Sequence, residues 1–261
     1  KLSDVREVFN TYRDSLTWQN DVTLDDRNSL IVGGDWYEDR INSSTPYDED
    51  SRWNRAAFIQ HRFRGETFST ELGVRRDQNQ QFGAQNSWSG TFTLPVNPDN
   101  DVLLTYSESF RAPTFNDLYY PDFSNPDLAP ETAKSYELQW RSQLSDSARL
   151  ETSLYRTDLE DAIIFGSNSR PQNVASARIN GFEAALSQEL FGWQGNLGLA
   201  IIDPRDRDSG HTLARRARRT LSLDLDRQFD RLSLGASWQA VSSSYDDENN
   251  RNALGGYALL G

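Results

Sequence analysis

The sequence has no cysteine and no methionine, and only two histidines, His61 and His211, among 261 residues. Without cysteine there can be no disulfide and no thiolate metal site, and cysteine usage gives no information on compartment. His61 sits in a strand pattern and His211 in a polar loop. No neighbouring serine and orienting carboxylate completes a hydrolase triad, so no enzyme is expected. No run of about 18 apolar residues occurs, which excludes a transmembrane helix but not a membrane protein. Positive charge is also scarce: Lys+Arg 27 against Asp+Glu 39, a formal net charge of -12. Nucleic-acid phosphates would be repelled, and no nucleic-acid partner is expected.

What is present is aromatic and alternating. The hydrophobic share is only 36% and the mean hydropathy is -0.74, yet 11% aromatics, with seven Trp and ten Tyr, argue against disorder. Apolar residues recur at every second position, with almost no helical period. Leu16, Trp18, Val22 and Leu24 share one face of a first strand, and Leu30, Val32, Gly34 and Trp36 one face of a second. The pattern repeats through Phe68–Val74, Trp88–Leu94, Val102–Tyr106, Tyr136–Trp140, Leu150–Leu154, Phe182–Leu186, Leu197–Ile201, Leu221–Leu225 and Leu232–Trp238. Arg52 to Phe63 is a less regular strand, and Leu254 to Gly261 a last partial one. The total is about 12–13 strands of membrane-spanning length.

The connections alternate in length. Short links are expected at 25–27, 64–65, 96–101, 145–147, 191–192 and 229–230. Long polar ones are expected at 40–54, 77–85, 110–134, 161–173, 203–211 and 242–252. Short turns at one end and long loops at the other are the outer-membrane pattern, whereas a soluble sandwich has no such alternation. The expected fold class is all-β, an antiparallel up-and-down transmembrane β-barrel.

The longest excursion is organised around Tyr106 to Trp140. Pro113, Pro121, Pro126 and Pro130 each remove a backbone donor, which predicts neither a regular helix nor a central strand there. Phe110-Arg111-Ala112-Pro113-Thr114, then Asn125 to Thr132 (NPDLAPET), then a strand carrying Tyr136-Glu137-Leu138, resemble the barrel of TonB-dependent outer-membrane receptors. Asn173 to Glu183 (NVASARINGFE) is similar to a recurring strand of that family. Leu213 to Arg219 (LARRARR) is similar to its arginine-rich approach to a strand. Within the family the arrangement is most similar to the vitamin B12 (cobalamin) receptors.

The resemblance implies energised uptake of a bulky, scarce nutrient by an outer-membrane transporter. Cobalamin is the first expectation, with a ferric siderophore as the alternative in the same family. A self-contained passive pore or adhesin barrel, outside the family, also stays open. The implied partners are the nutrient, TonB acting through an N-terminal plug, and the outer-membrane lipid and lipopolysaccharide around the barrel. The family barrel has about 22 strands. Against it, residues 1–261 are expected to be one partial barrel domain, opening at Lys1-Leu2-Ser3 without a signal peptide, plug or closing strands. By position, the substrate-contact candidates are Arg111, Asn116, Tyr119, Tyr120, Asp122 and Phe123.

Other clusters carry less. Tyr47-Asp48-Glu49-Asp50 and Tyr245-Asp246-Asp247-Glu248 are acidic loop runs without EF-hand spacing, and the bland reading is a solvated loop. The resemblance makes Ca²⁺ in the outer loops conceivable, but no ligand can be matched, so no metal residues and no cofactor are assigned. If Arg215, Arg216, Arg218 and Arg219 lie on a strand, they divide between its two faces. A guanidinium facing lipid at the midplane costs about 2–4 kcal/mol, which puts them above the hydrocarbon or in the lumen. There they either pair with lumen carboxylates and a plug domain or hold lipopolysaccharide phosphates bidentately at the outer rim. Trp18, Trp36, Trp88, Trp140 and Trp238 are expected at the bilayer interfaces. Asn180-Gly181 imitates a hairpin turn, but is read as strand, with Gly181 easing curvature.

Overall fold

The computed structural model describes residues 8–166 and 169–261, with the side chains of 174 and 175 outside that description. Lys1-Leu2-Ser3, and the Val174 and Ala175 side chains of the NVASARINGFE stretch, therefore lie outside the described residues. The chain runs up and down through β1 (Phe9–Thr23), β2 (Asn28–Ser43), β3 (Ser51–Arg64), β4 (Ser69–Asn79), β5 (Gly83–Asn97) and β6 (Asn100–Arg111). After a helical turn, α1 (Phe115–Tyr119), come β7 (Glu131–Ser145), β8 (Ala148–Phe165), β9 (Pro171–Leu190), β10 (Trp193–Asp206), β11 (Arg219–Phe229) and β12 (Leu232–Val241). Two short pieces, β13 (Ser244–Tyr245) and β14 (Ala253–Leu254), pair with each other, and β15 (Tyr257–Leu260) returns to β12. Each of β1 to β11 is antiparallel to the next, and β12 to β15, in an open sheet of 13 strands with β1 and β15 at its edges.

The register turns the alternation into two faces. Val22, Leu30, His61, Leu72, Gly90, Tyr106 and Tyr136 stand in one row across β1 to β7. Thr70, Phe92, Leu104, Leu138, Leu154, Phe182 and Ile201 form another row on the same side across β4 to β10. The opposite side carries Thr23, Ser29, Arg62, Glu71, Thr91, Thr105, Glu137 and Tyr155 in one row. A one-residue slip would exchange the two sets, so the register is fixed by solvent preference on both sides.

Among the described residues no second layer covers the apolar side: Leu72 is 56% exposed, Leu104 53% and Leu154 55%. In a soluble sandwich these side chains would be sandwiched between sheets. Here they face lipid, and the polar side lines the lumen. Trp18, Trp36, Trp88 and Trp140 are all exposed on the lipid side. Close to a tight turn, Trp140 Nε1 donates to Asn100 Oδ1 at 3.0 Å, so the ring meets lipid while its polar edge is satisfied.

The tight turns gather at one end and the longer loops at the other. Asp25 closes the first turn by accepting from the Arg27 and Asn28 N–H groups at 2.8 and 2.9 Å. Phe191 and Gly192 both have positive φ, 53° and 77°, which suits a two-residue hairpin turn.

Several sequence expectations change, among them the long links at 40–54 and 161–173, which shrink to 44–50 and 166–170 as the flanking strands extend into them. The 77–85 link is not long: β4 and β5 extend until only 80–82 remain, because Asn79 Oδ1 accepts from the Gln81 and Phe82 N–H groups. The excursion narrows to 112–130, and within it α1 forms despite the prolines. Pro113 lies before its cap and Pro121 beyond it, so neither interrupts the turn. Thr114 Oγ1 accepts from Asp117 N while the Asp117 carboxylate accepts from Thr114 N, a reciprocal cap. LARRARR is not strand until Arg219, and Arg215 has φ 57°, so the alternation of those arginines does not exist. Finally, Leu254 to Gly261 is broken at Gly255-Gly256 between β14 and β15.

Gly181 is within β9, as read, but its close neighbour gives the clearer reason for glycine. A Cβ there would stand 2.2 Å from Tyr155 Cζ, and the ring lies across it to donate from Oη to Glu183 Oε1 at 3.0 Å. Gly181→Val is expected to cost about 1–3 kcal/mol by overpacking. Adding Tyr155→Ala should return part of that loss. Urea titration of the heat-modifiable band in detergent checks both, and a Gly181→Val barrel as stable as the parent contradicts the steric account.

Candidate functional site

Loop 112–130 is anchored at its root. Arg111 Nε and Nη2 reach Glu131 Oε1 and Oε2 at 2.6 and 3.0 Å, joining the last residue of β6 to the first of β7. Glu131 Oε2 also accepts from the Ile163 N–H at 3.0 Å. Arg52, from the outer end of β3, donates through Nη1 to the Pro113 carbonyl at 3.0 Å and packs its guanidinium over Phe115, 5.1 Å from the ring centre. Leu118, 1% exposed, and Leu128, 3% exposed, are the apolar plugs beneath the loop.

Neighbouring loops then tie it from several sides. Tyr47 Oη donates to Asn116 Oδ1 at 2.7 Å, and Gln81 Nε2 donates to Tyr119 Oη at 2.7 Å. Arg170 Nε donates to the carbonyl of Asp122 at 3.1 Å, where Asp122 itself takes a positive φ of 67°. Asn125 Nδ2 reaches the Pro171 carbonyl at 3.2 Å. Ala129 and Asn173 exchange backbone-to-amide bonds of 2.9 and 3.1 Å. Thus FRAPT meets NPDLAPET through Arg111 and Glu131, and NPDLAPET meets NVASARINGFE through Ala129 and Asn173.

The six candidates do not converge as one set. Arg111, Asn116 and Tyr119 spend polar atoms on holding the loop. Tyr120 and Phe123, 41% and 51% exposed, are presented outward with ring centres 6.5 Å apart. Tyr47 meets Tyr120 edge-on at 6.3 Å and Phe9 at 5.9 Å, extending the aromatic surface. Partial burial pushes the Tyr47 phenol above its ordinary value. Between the root of the loop and the wall lies a cleft of about 620 Å³, lined in part by Arg13, Tyr37, Arg52, Phe110 and Phe115.

Sequence reasoning missed Tyr47, Arg52, Gln81 and Asn173 as loop holders, because nothing local signals contacts from distant segments of the chain. The Thr114-x-x-Asp117 spacing was the one legible signal. It also missed Glu137 and Glu183 on the lumen wall. Their only bonded partners among the described residues are hydroxyls, Ser153 Oγ and Tyr155 Oη.

In the second acidic run, Tyr245 to Glu248, the aspartates are bonded within their own surroundings. Asp246 Oδ1 pairs with Arg215 Nε at 2.8 Å. Asp247 accepts from the N–H groups of Asn252 at 2.6 Å, Arg251 at 3.0 Å and Asn249 at 3.0 Å. Among the described residues no three acidic or imidazole side chains gather as a metal site. Among the described residues the arginines do not pair with lumen carboxylates: Arg215 bonds Asp246 of a loop, and Arg218 bonds Asp203, which the register puts on the side of Tyr136 and Arg156.

A sheet with one face toward lipid, one lining a lumen, and longer loops at one end is the wall of an outer-membrane barrel. The sequence model described as "TonB dependent receptor-like, beta-barrel" matches residues 3–261, and the chain belongs to that family. The vitamin B12 transporter BtuB of Photobacterium profundum is 29% identical over 261 residues, covering 96% of this chain and 43% of the relative. The BtuB of Vibrio vulnificus is 29% identical over 257 residues, covering 95% and 41%. The siderophore receptor PirA from Acinetobacter baumannii superposes with a TM-score of 0.76 at 17% identity, covering 97% of this chain and 48% of that one. The chain therefore spans less than half the length of the curated relatives it matches. Its place is the bacterial outer membrane, and its relatives are receptors and transporters, not enzymes.

The Asp247 turn lies in a loop, and its pH dependence follows from its bonds. The carboxyl is held below its ordinary value, first by the Asn252 N–H, against a desolvation that pushes it up, and then by Arg251 and Asn249. A depressed folded pKa means the stabilisation is complete above the unfolded value of about 3.9 and is lost as pH falls through the lower folded value. Amide exchange at 249, 251 and 252 should stay protected, relative to the intrinsic rate, from about pH 7 down to about pH 5. Protection should fail only below the ordinary carboxylate range; failure within the neutral interval contradicts the assignment.

Proposed function

We propose that residues 1–261 are one partial barrel domain of a TonB-dependent active-transport receptor that takes up a bulky, scarce nutrient, cobalamin first. The observation that carries this reading is the tied loop 112–130, which holds Tyr120 and Phe123 exposed at the mouth. Exposed aromatics that are already fixed in place lose little freedom on binding, so they favour capture of a large amphipathic ligand. Asn116 and Tyr119, bonded to their neighbours, set the angle of that surface. Arg111 and Asp122 act at the root and bend of the loop, so their contact with ligand is made through the backbone they hold.

Cobalamin is favoured over a ferric siderophore because the BtuB relatives match nearly the whole chain at 29% identity. The siderophore receptor supports only the fold, at 17% identity. The lumen wall supports a plug in the barrel. Glu137 and Glu183 face inward without a cationic partner among the described residues, and a basic segment filling the lumen would complete them. Pulling on that plug by TonB would then supply the energy for transport.

In the intact receptor, Tyr119→Ala with Tyr120→Ala is expected to weaken cyanocobalamin binding about 10- to 100-fold, as loss of aromatic anchors does. The heat-modifiable fold should remain. Equilibrium binding of cyanocobalamin and of a ferric siderophore, measured side by side, checks it. Unchanged binding of both removes the loop from ligand capture, and a siderophore bound in preference to cobalamin moves the substrate to the other branch of the family.

A further inference from the structure

We propose that the cleft between the root of loop 112–130 and the barrel wall takes the phosphodiester tail of a corrinoid, with Arg52 as the anchor for its negative charge. This rests on the cobalamin reading above and adds to it which part of the ligand enters the lumen side of the mouth.

Four arginines line the cleft, and three of them are already neutralised. Arg13 Nε and Nη2 donate to the two oxygens of Asp39 at 2.6 and 2.8 Å. Arg40 pairs with Asp14, and Arg111 is held by both oxygens of Glu131. Among the described residues Arg52 has no carboxylate partner: its Nη1 donates only to neutral oxygens, the Pro113 carbonyl at 3.0 Å and Gln81 Oε1 at 3.4 Å. Its Nε and Nη2 make no bond among those residues.

Register explains the surplus. Arg13, Asp39 and Arg52 stand in one row across β1 to β3, on the lumen side that also carries Thr23, Ser29 and Arg62. Two cations therefore flank one carboxylate, and Arg13 takes both of its oxygens. The row keeps one positive charge, on a partly buried side chain, where a cation without a counter-charge is costly. Phe115 and Phe82, with ring centres 5.1 and 5.6 Å from the guanidinium, hold its plane in position. A fixed fork with two free donor atoms suits the paired oxygens of a phosphodiester.

Size and charge select the tail. The cleft, about 620 Å³, falls in the usual ligand-site range of about 300–1,000 Å³. A free phosphate would leave most of it empty, whereas one flat base, a sugar and a phosphodiester would fill it. One surplus charge matches one phosphodiester; a multiply charged ferric chelate would leave most of its charge unmet. Gln81 links the two parts of the mouth, accepting from Arg52 through Oε1 and donating to Tyr119 through Nε2 at 2.7 Å. The corrin ring would then lie on Tyr120 and Phe123, with its tail behind the loop.

The test measures equilibrium binding of cyanocobalamin and of dicyanocobinamide, which has the corrin ring without the phosphodiester and base, to the intact receptor in detergent. Arg52→Gln should weaken cyanocobalamin about 10-fold or more and dicyanocobinamide less than about 3-fold, since only the first loses a charge-assisted bond. Arg52→Lys, which keeps the charge but loses the fork, should fall between, and carries the comparison if the glutamine variant does not assemble. A loss shared equally by both ligands reports only the missing Pro113 bond and overturns the anchor, as does cyanocobalamin binding unmoved by either variant. A parent that binds neither corrinoid overturns the cobalamin reading itself, and the anchor with it.

Discussion

A backbone N–H or C=O left unpaired in hydrocarbon costs several kcal/mol, and this constraint orders everything else in the chain. Strands β2 to β11 meet it by pairing with both sequence neighbours, and β12 by pairing with β11 and β15. Once strands pair in that order, the two-residue period gives every strand one lipid side and one lumen side. Tight turns then fall at one end and loops at the other.

The polar side does more than line water. Arg75 joins Asp35 at 2.7 Å to Asp77 at 2.8 Å, and Asn54 Nδ2 donates to Asp77 Oδ1 at 2.9 Å. Asn79 Nδ2 donates to Asn54 Oδ1 at 3.4 Å, and its own Oδ1 caps the 80–82 turn. Gln81 in that turn holds Tyr119. A continuous series of bonds therefore runs from the lumen wall to the loop that presents the aromatics. The mouth is thus tied to the wall beneath it.

How much of this was legible depended on the range of each interaction. Leu72, Leu104 and Leu154 could be placed on one side from alternation, because sidedness is a local property of a strand. Gly181 could be kept in its strand for the same reason, although the Tyr155 ring that requires it comes from another strand. The arginines of LARRARR could not be placed. A positive φ at Arg215 and a pairing with Asp246 depend on a loop folded over from a later part of the chain. The prolines flanking α1 obscured a cap that Thr114 and Asp117 spell out.

The candidate site divides in the same way. Position in the longest excursion marked Tyr119, Tyr120 and Phe123 as candidates. Which of them faces outward was decided by Gln81, Tyr47 and Arg170, each contributed by a different connection. By itself the sequence determined the strands, their sidedness, the two unlike ends and the family, since these follow from periodicity and short motifs. Only the tertiary structure decided which loop atoms are spent on neighbours and which remain for a ligand or lipid. Hydrogen-bond partners far apart in the chain are chosen by strand register and loop packing, and neither is written in any one segment.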